Sequence, residues 1–259
     1  MKFYLGTHMP AWLWRFRVSP LMFVSYRRLV SVKGLHPAQC DWALDSGGFT
    51  ELRLHGRWTV TAAAYVDEVR RYRTGIGRLA WAAPQDWMCE ADCLSKTGLS
   101  VAEHQRRTID SVLELRALAP EIQWIPVLQG VTAGDYLDHA EQYERGGVQL
   151  KHEPLVGLGS VCRRQNDDEI VRVVREIASL GIRMHGFGVK RSGVARLAPV
   201  LESADSMAWS YHARREPAMP TCTHANCANC PIFAEHWLHE TLNSIDRTMA
   251  QQELFPVGR

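Results

Sequence analysis

Short apolar runs rich in strand-forming residues recur along the whole chain, each ending in polar residues or glycine. They are FYLGTH (3 to 8), MFVSY (22 to 26), WALDSGG (42 to 48), LAWAAPQD (79 to 86), WIPVLQG (124 to 130), LVGLGS (155 to 160), MHGFGV (184 to 189) and SMAWSY (206 to 211). Segments of helical periodicity lie between the later runs, at 60–73, 101–118, 133–146 and 167–181. This alternation predicts an α/β fold with a parallel sheet and helical crossovers. Eight strands favour a closed, TIM-like (β/α)8 barrel over an open sheet, and 259 residues suit one such barrel with a small appendage. The barrel is expected to span 1–215, with 216–259 forming a metal-binding segment and a C-terminal helix packed on it.

In a barrel the strand ends share one face, where active sites of this fold are built. That gives His8, Asp45, Asp86, Gln129, Ser160, Lys190 and Asp205 a common address. Each has a plainer explanation, because polar residues at strand ends often cap the following helix. DSGG at 45–48 is also ordinary turn chemistry. Convergence of several such residues on one face favours function.

The charge balance, 30 Lys and Arg against 28 Asp and Glu, is too even to imply nucleic-acid binding by itself, so the distribution of charge matters more than its sum. Of seven cysteines, Cys222, Cys227 and Cys230 crowd together while the others are scattered, which is metal spacing more than disulfide spacing. The N-terminal stretch lacks a long apolar core and is interrupted by His8 and Pro10. No apolar run long enough to span a bilayer occurs, so a cytoplasmic protein with no membrane partner is expected.

Taken in order, DSGGF, Asp86 in PQD, VLQG, VGLGSV, HGFGVK, ADSMAWS and a cysteine cluster resemble the signature set of the tRNA-guanine transglycosylase superfamily. The resemblance covers roughly 42–240. It implies that Asp45 is the general acid/base and Asp205 the nucleophile; an alignment on the bacterial pattern instead puts Ala208 at the nucleophile's place. It assigns base binding to Ser46, Gly47, Gly48, Phe49, Asp86, Gln129, Gly130, Gly157, Leu158, Gly159 and Gly188, with Asp86 reading the guanine edge and Phe49 stacking on the base. Trp87 and Phe187 are further candidate walls.

The chemistry suits these residue types. Base exchange breaks a bond at the sugar C1′ through an oxocarbenium-like state that a carboxylate can trap, while a second carboxylic group moves the proton. On this reading the glycines of DSGG leave Asp45 open to a flat base.

The segment TCTHANCANC resembles the same family's zinc site, with Cys222, His224, Cys227 and Cys230 as ligands of a structural Zn2+ and His236 or His239 as alternatives to His224. WALDSGGFTEL, PQDWMCE and HANCANC look like a compact branch of the superfamily that inserts 7-deazaguanine bases into DNA. DNA and a preQ0-like base are thus the expected substrates, with tRNA, or non-catalytic nucleic-acid binding, as the alternative, and with a partner protein that opens the duplex as a possible addition. Arg163, Arg164, Lys190, Arg191, Arg214 and Arg215 follow the last three strands and are expected to form a basic rim for phosphates.

Overall fold

A computed structural model of the chain describes residues 1–161 and 168–254. Its strands are β1 (Lys2–Thr7), β2 (Leu21–Ser25), β3 (Asp41–Asp45), β4 (Leu79–Ala82), β5 (Val127–Leu128), β6 (Val156–Leu158), β7 (Met184–Gly186) and β8 (Ser203–Ser206). They form one eight-stranded sheet in the order β4-β3-β2-β1-β8-β7-β6-β5, parallel at every pairing, so the first and last strands are neighbours. The sheet curls into a half-barrel, and the chain just ahead of β5 comes back to the end of β4. Ala82, at the end of β4, bridges to Trp124 just ahead of β5; Ala82 N–H donates to Gln123 at 2.9 Å and Ile125 N–H to Ala82 at 3.2 Å. Among the described residues this is the one backbone bridge between β4 and the segment leading into β5, where the expected closed barrel requires a full ladder. Pro126 lies in the expected β5 run and has no N–H to give, which helps to explain why only two residues of that run are strand.

The helices are α1 (Trp12–Arg15), α2 (Tyr26–Leu29), α3 (Gly48–His55), α4 (Ala62–Gly75), α5 (Ala91–Thr97), α6 (Val101–Leu118), α7 (Ala133–Arg145), α8 (Asp168–Ser179), α9 (Arg191–Leu197), α10 (Ala208–Ala213) and α11 (Pro231–Leu254). Local chemistry starts the longer ones where the periodicity begins. Thr61 and Ser100 accept hydrogen bonds from the backbone of the first turns of α4 and α6, and Thr132 with Asp135 forms a reciprocal capping box on α7.

The eighth strand is displaced from its expected place. SMAWSY reads as a strand from composition, yet β8 ends at Ser206 and residues 208–213 are helical. Ser206 Oγ accepts the Ala208 N–H and turns the chain. Trp209 and Ala213, one helical turn apart, are then both buried. Trp209 stacks on Trp12, ring centres 5.2 Å apart, and its Nε1 donates to the Gly6 carbonyl at 2.8 Å, fixing α10 to β1.

Most buried side chains form one large core between sheet and helices, which also takes in Phe233, Trp237 and Ile245 of α11. A second, smaller cluster of Tyr4, Phe23, Ala43, Trp81, Ile125 and Leu155 fills the inside of the curl. Among the described residues no helix is long and apolar enough to cross a membrane.

Because Trp209 is fully buried and hydrogen-bonded, Trp209→Ala is expected to destabilise the fold by about 3–5 kcal/mol. Urea unfolding measures this, and an unchanged midpoint would show that α10 contributes nothing to the global fold.

Candidate active site

Three carboxylates reach one cavity from different strands. Asp45 is the last residue of β3, Asp86 follows β4, and Asp205 lies within β8 opposite Tyr4 of β1. The cavity encloses about 210 Å³ and is completed by Gln129, Gly159, Ser160 and Gly188, with Phe23, Phe49, Met88 and Phe187 as its apolar walls and Glu90 at one side. Of the residues expected here, Asp45, Phe49, Asp86, Gln129, Gly159, Gly188 and Asp205 all line it. Ser46 is buried behind Asp86, Gly157 and Leu158 lie in β6, and Gly130 faces a neighbouring cavity. Ala208 stands at the start of α10 and does not line the cavity, whereas Asp205 does. Phe187 is a wall, but Trp87 packs in another cluster with Leu52 and Cys93, beneath the Arg107 guanidinium.

Asp86 is held from both sides. Ser46 Oγ donates to its Oδ1 at 3.0 Å and Gln129 Nε2 to its Oδ2 at 2.6 Å. Both bonds favour the ionised carboxylate, yet burial, reinforced by the nearby charge of Asp45, outweighs them and pushes its pKa up to about 7. Asp45 is shifted the same way: burial raises its pKa, hydrogen bonds from Ser25 and the Gly47 backbone oppose this, and the Asp205 charge adds to the rise. Burial thus lets both Asp86 and Asp45 hold their protons to higher pH than an exposed aspartate does.

Gln129 is fixed at every polar atom. Its Oε1 accepts from Ser160 Oγ at 2.6 Å, its N–H donates to His139 Nδ1 at 2.9 Å, and its carbonyl accepts from Gln105 Nε2 at 2.8 Å. Gly159 makes room for it, because a Cβ there would stand 2.4 Å from the Gln129 amide nitrogen. Ser160 then adopts φ 57°, a left-handed backbone unusual for a side chain, while its Oγ accepts the Cys89 N–H at 2.8 Å and lies 3.2 Å from Glu90 Oε2.

The DSGG turn differs from its expected use. A Cβ on Gly48 would come 2.8 Å from the Trp58 ring, and one on Gly47 would strike the Arg27 side chain. The two glycines therefore accommodate protein groups packed beside the turn, and opening a path to Asp45 is not needed to explain them. Phe49, the second residue of α3, is brought to the cavity by the helix that this turn starts.

The expected basic rim is only partly in view. Arg163 and Arg164 lie outside the described residues. Lys190 directly precedes α9, Arg191 pairs with Glu240 of α11 at 2.6 Å, Arg214 directly follows α10, and the Arg215 guanidinium sits 3.4 Å from the Tyr211 ring centre. Sequence patterning does not single out Phe23, Met88 or Glu90, which also line the cavity. The first two look like ordinary core residues in sequence, and Glu90 stands directly before a helix, where acids are common.

Cys222, His224, Cys227 and Cys230 bring four donor atoms within 4.8 Å of one another. Cys222 and Cys230 sulfurs are 3.7 Å apart and His224 Nε2 is 3.2 Å from Cys227 Sγ. A tetrahedral ion with metal–sulfur bonds of about 2.3 Å needs ligand edges of roughly 3.7 Å, so the set fits. His236 and His239, on α11, are not part of it. The knuckle also touches the residue that follows β1 and helix α10: Asn229 Oδ1 is 2.5 Å from His8 Nε2, and the Ala228 carbonyl accepts from Ser210.

Two outcomes follow from these arrangements. One metal ion per chain is expected by mass spectrometry of the native protein, falling well below that in Cys227→Ser; a metal-free native protein would reject the site. In the folded protein Asp86 keeps its proton up to about pH 7, while an ordinary aspartate releases it near 3.8. Folding thus takes up a proton between these values, and stability falls as pH rises through that window. Asp86→Asn is expected to flatten the fall in urea unfolding across the range, and an unaltered slope would place the proton elsewhere.

No curated protein matches the chain in a sequence search. A family model does: DpdA, DeoxyPurine in DNA protein A, matches residues 1–255. With all but the last few residues inside that match, the chain belongs to the DpdA family of DNA 7-deazaguanine transglycosylases.

Proposed function

We propose that this chain exchanges guanine in DNA for a preQ0-like 7-deazaguanine through a covalent bond between Asp205 and the sugar C1′. The observation that carries the reading is the meeting of Asp45, Asp86 and Asp205 in one cavity walled by aromatic rings. A flipped guanine enters with its polar edge toward Asp86, Gln129 and the Gly159 backbone, and Phe49 covers a face of the base. An oxygen of Asp205 bonds to C1′ as the bond to N9 breaks, and the electron pair leaves with guanine. Asp45, whose pKa burial raises, gives its proton to that leaving base. Asp45 then takes the N9 proton of the incoming base, whose nitrogen displaces Asp205 and restores the carboxylate.

The rest of the molecule serves this site. The Ala82–Trp124 bridge supports reading the curled sheet as a closed barrel over 1–215, with 216–259 as its appendage. Cys222, His224, Cys227 and Cys230 form a closed set for a structural Zn2+, which would supply folding energy to the knuckle and leave no position for substrate. Lys190, Arg191, Arg214 and Arg215, with Arg163 and Arg164, serve as the rim for DNA phosphates, and a partner protein that opens the duplex belongs to the same reading.

Incubation with guanine-containing DNA or tRNA plus a 7-deazaguanine, followed by nucleoside mass spectrometry, tests this. A modified deoxynucleoside is expected from DNA, absent with Asp205→Asn and reduced roughly 10²- to 10⁴-fold in rate with Asp45→Asn. Product in tRNA alone would refute the DNA assignment, and full activity in Asp205→Asn would refute the covalent one.

A further inference from the structure

One buried titratable side chain next to the nucleophile has no part in the chemistry above. His185 is fully buried inside the curl of the sheet. Side chains alternate along a strand, so Ser203 and Asp205 share a face of β8, and the register that sets His185 beside Ser203 puts the imidazole against both. Its Nδ1 is 2.9 Å from Ser203 Oγ and its Nε2 is 3.3 Å from Asp205 Oδ1. A carboxylate oxygen only accepts, so Nε2 carries the hydrogen and Nδ1 is left to receive the Ser203 hydroxyl. Rings of Trp81, Phe187, Tyr4 and Phe23, with centres 4.7, 4.9, 5.7 and 5.7 Å away, fix the imidazole plane.

Asp205 Oδ1 accepts a second bond, from the Gly188 N–H at 2.9 Å. Both described hydrogen bonds to this carboxylate therefore fall on the same oxygen. From this asymmetry, and resting on the reading of Asp205 as nucleophile, we infer that His185 is a positioning residue that, with Gly188, fixes Asp205 through Oδ1 and leaves Oδ2 to attack C1′. When Oδ2 bonds to C1′ and the C1′–N9 pair departs with guanine, Oδ1 becomes the ester carbonyl and keeps both donors. When the incoming base displaces the ester, the C1′–Oδ2 electron pair returns to Oδ2, and the restored carboxylate shares its charge by resonance with Oδ1, which is already hydrogen-bonded. The donors need no rearrangement in either direction, which is the condition for low reorganisation cost.

The test mixes protein with guanine-containing DNA and no incoming base, stops the reaction in detergent and follows the covalent protein–DNA adduct with time. DNA affinity is measured alongside by fluorescence anisotropy. Wild type is expected to form the adduct and Asp205→Asn to form none. His185→Phe, which keeps a ring and loses the donor, is expected to slow adduct formation roughly 10- to 100-fold with DNA affinity within about twofold. His185→Gln, which restores an N–H, is expected to recover part of the rate. Adduct formation by His185→Phe at the wild-type rate, or slowing matched by an equal loss of DNA affinity or of thermal stability in both variants, would overturn the positioning role while leaving Asp205 as nucleophile. Absence of adduct in wild type, or its presence in Asp205→Asn, would remove the nucleophile assignment and this inference with it.

Discussion

A carboxylate buried away from bulk water must find donors or keep its proton, and that requirement at Asp86 organises the site around it. Ser46 and Gln129 supply the donors, and each brings a segment of chain with it. Gln129 in turn requires Ser160, His139 and Gln105 around it, and a glycine at 159 beneath it. The backbone twist at Ser160 belongs to the same chain of demands: its hydroxyl has to reach both Gln129 and the Cys89 amide. A single buried acid thus orders the loops after β4, β5 and β6, three of the segments from which the cavity is assembled.

The sequence made much of this legible because the relevant signals are chemical contrasts. Carboxylates and an amide at the ends of apolar runs stand out, so the order of the runs alone puts Asp45, Asp86, Gln129 and Asp205 on one face. Helices with hydroxyl caps were equally readable; α6 begins and ends where its periodicity does. Signals failed where two roles share one residue type. Phe23 and Met88 are cavity walls that look like core, and His185 is a histidine in an apolar strand that pattern alone cannot separate from a satisfied core side chain. The shift of the last strand has a similar cause, since MAWSY carries strand-like composition while the Ser206 hydroxyl starts a helix by one hydrogen bond. The choice among three histidines for the metal cluster depended on where the chain folds back, which spacing does not record.

The two ends of the polypeptide meet through contacts of different kinds. β1 pairs with β8, Trp209 of α10 donates to Gly6, and the cysteine-rich knuckle reaches His8 through Asn229. The knuckle therefore stands against the strand end next to the one that carries Asp205, at the seam between the first and last strands. A bound ion there would stiffen a part of the wall as well as the segment that holds it.

The other seam is less secure. Among the described residues the backbone makes one bridge between β4 and the segment ahead of β5, at Ala82 and Trp124, whereas the neighbouring strands of the sheet share ladders. The Asp86–Gln129 hydrogen bond spans this same gap from the loops above it, acting as a side-chain clasp. Any molecule that binds Asp86 and Gln129 together adds a second tie across the gap, and by linkage favours the form in which the gap is shut. Occupancy of the cavity by such a molecule and integrity of the sheet would in that sense be a single equilibrium, with the occupant as one of the fastenings of its own container.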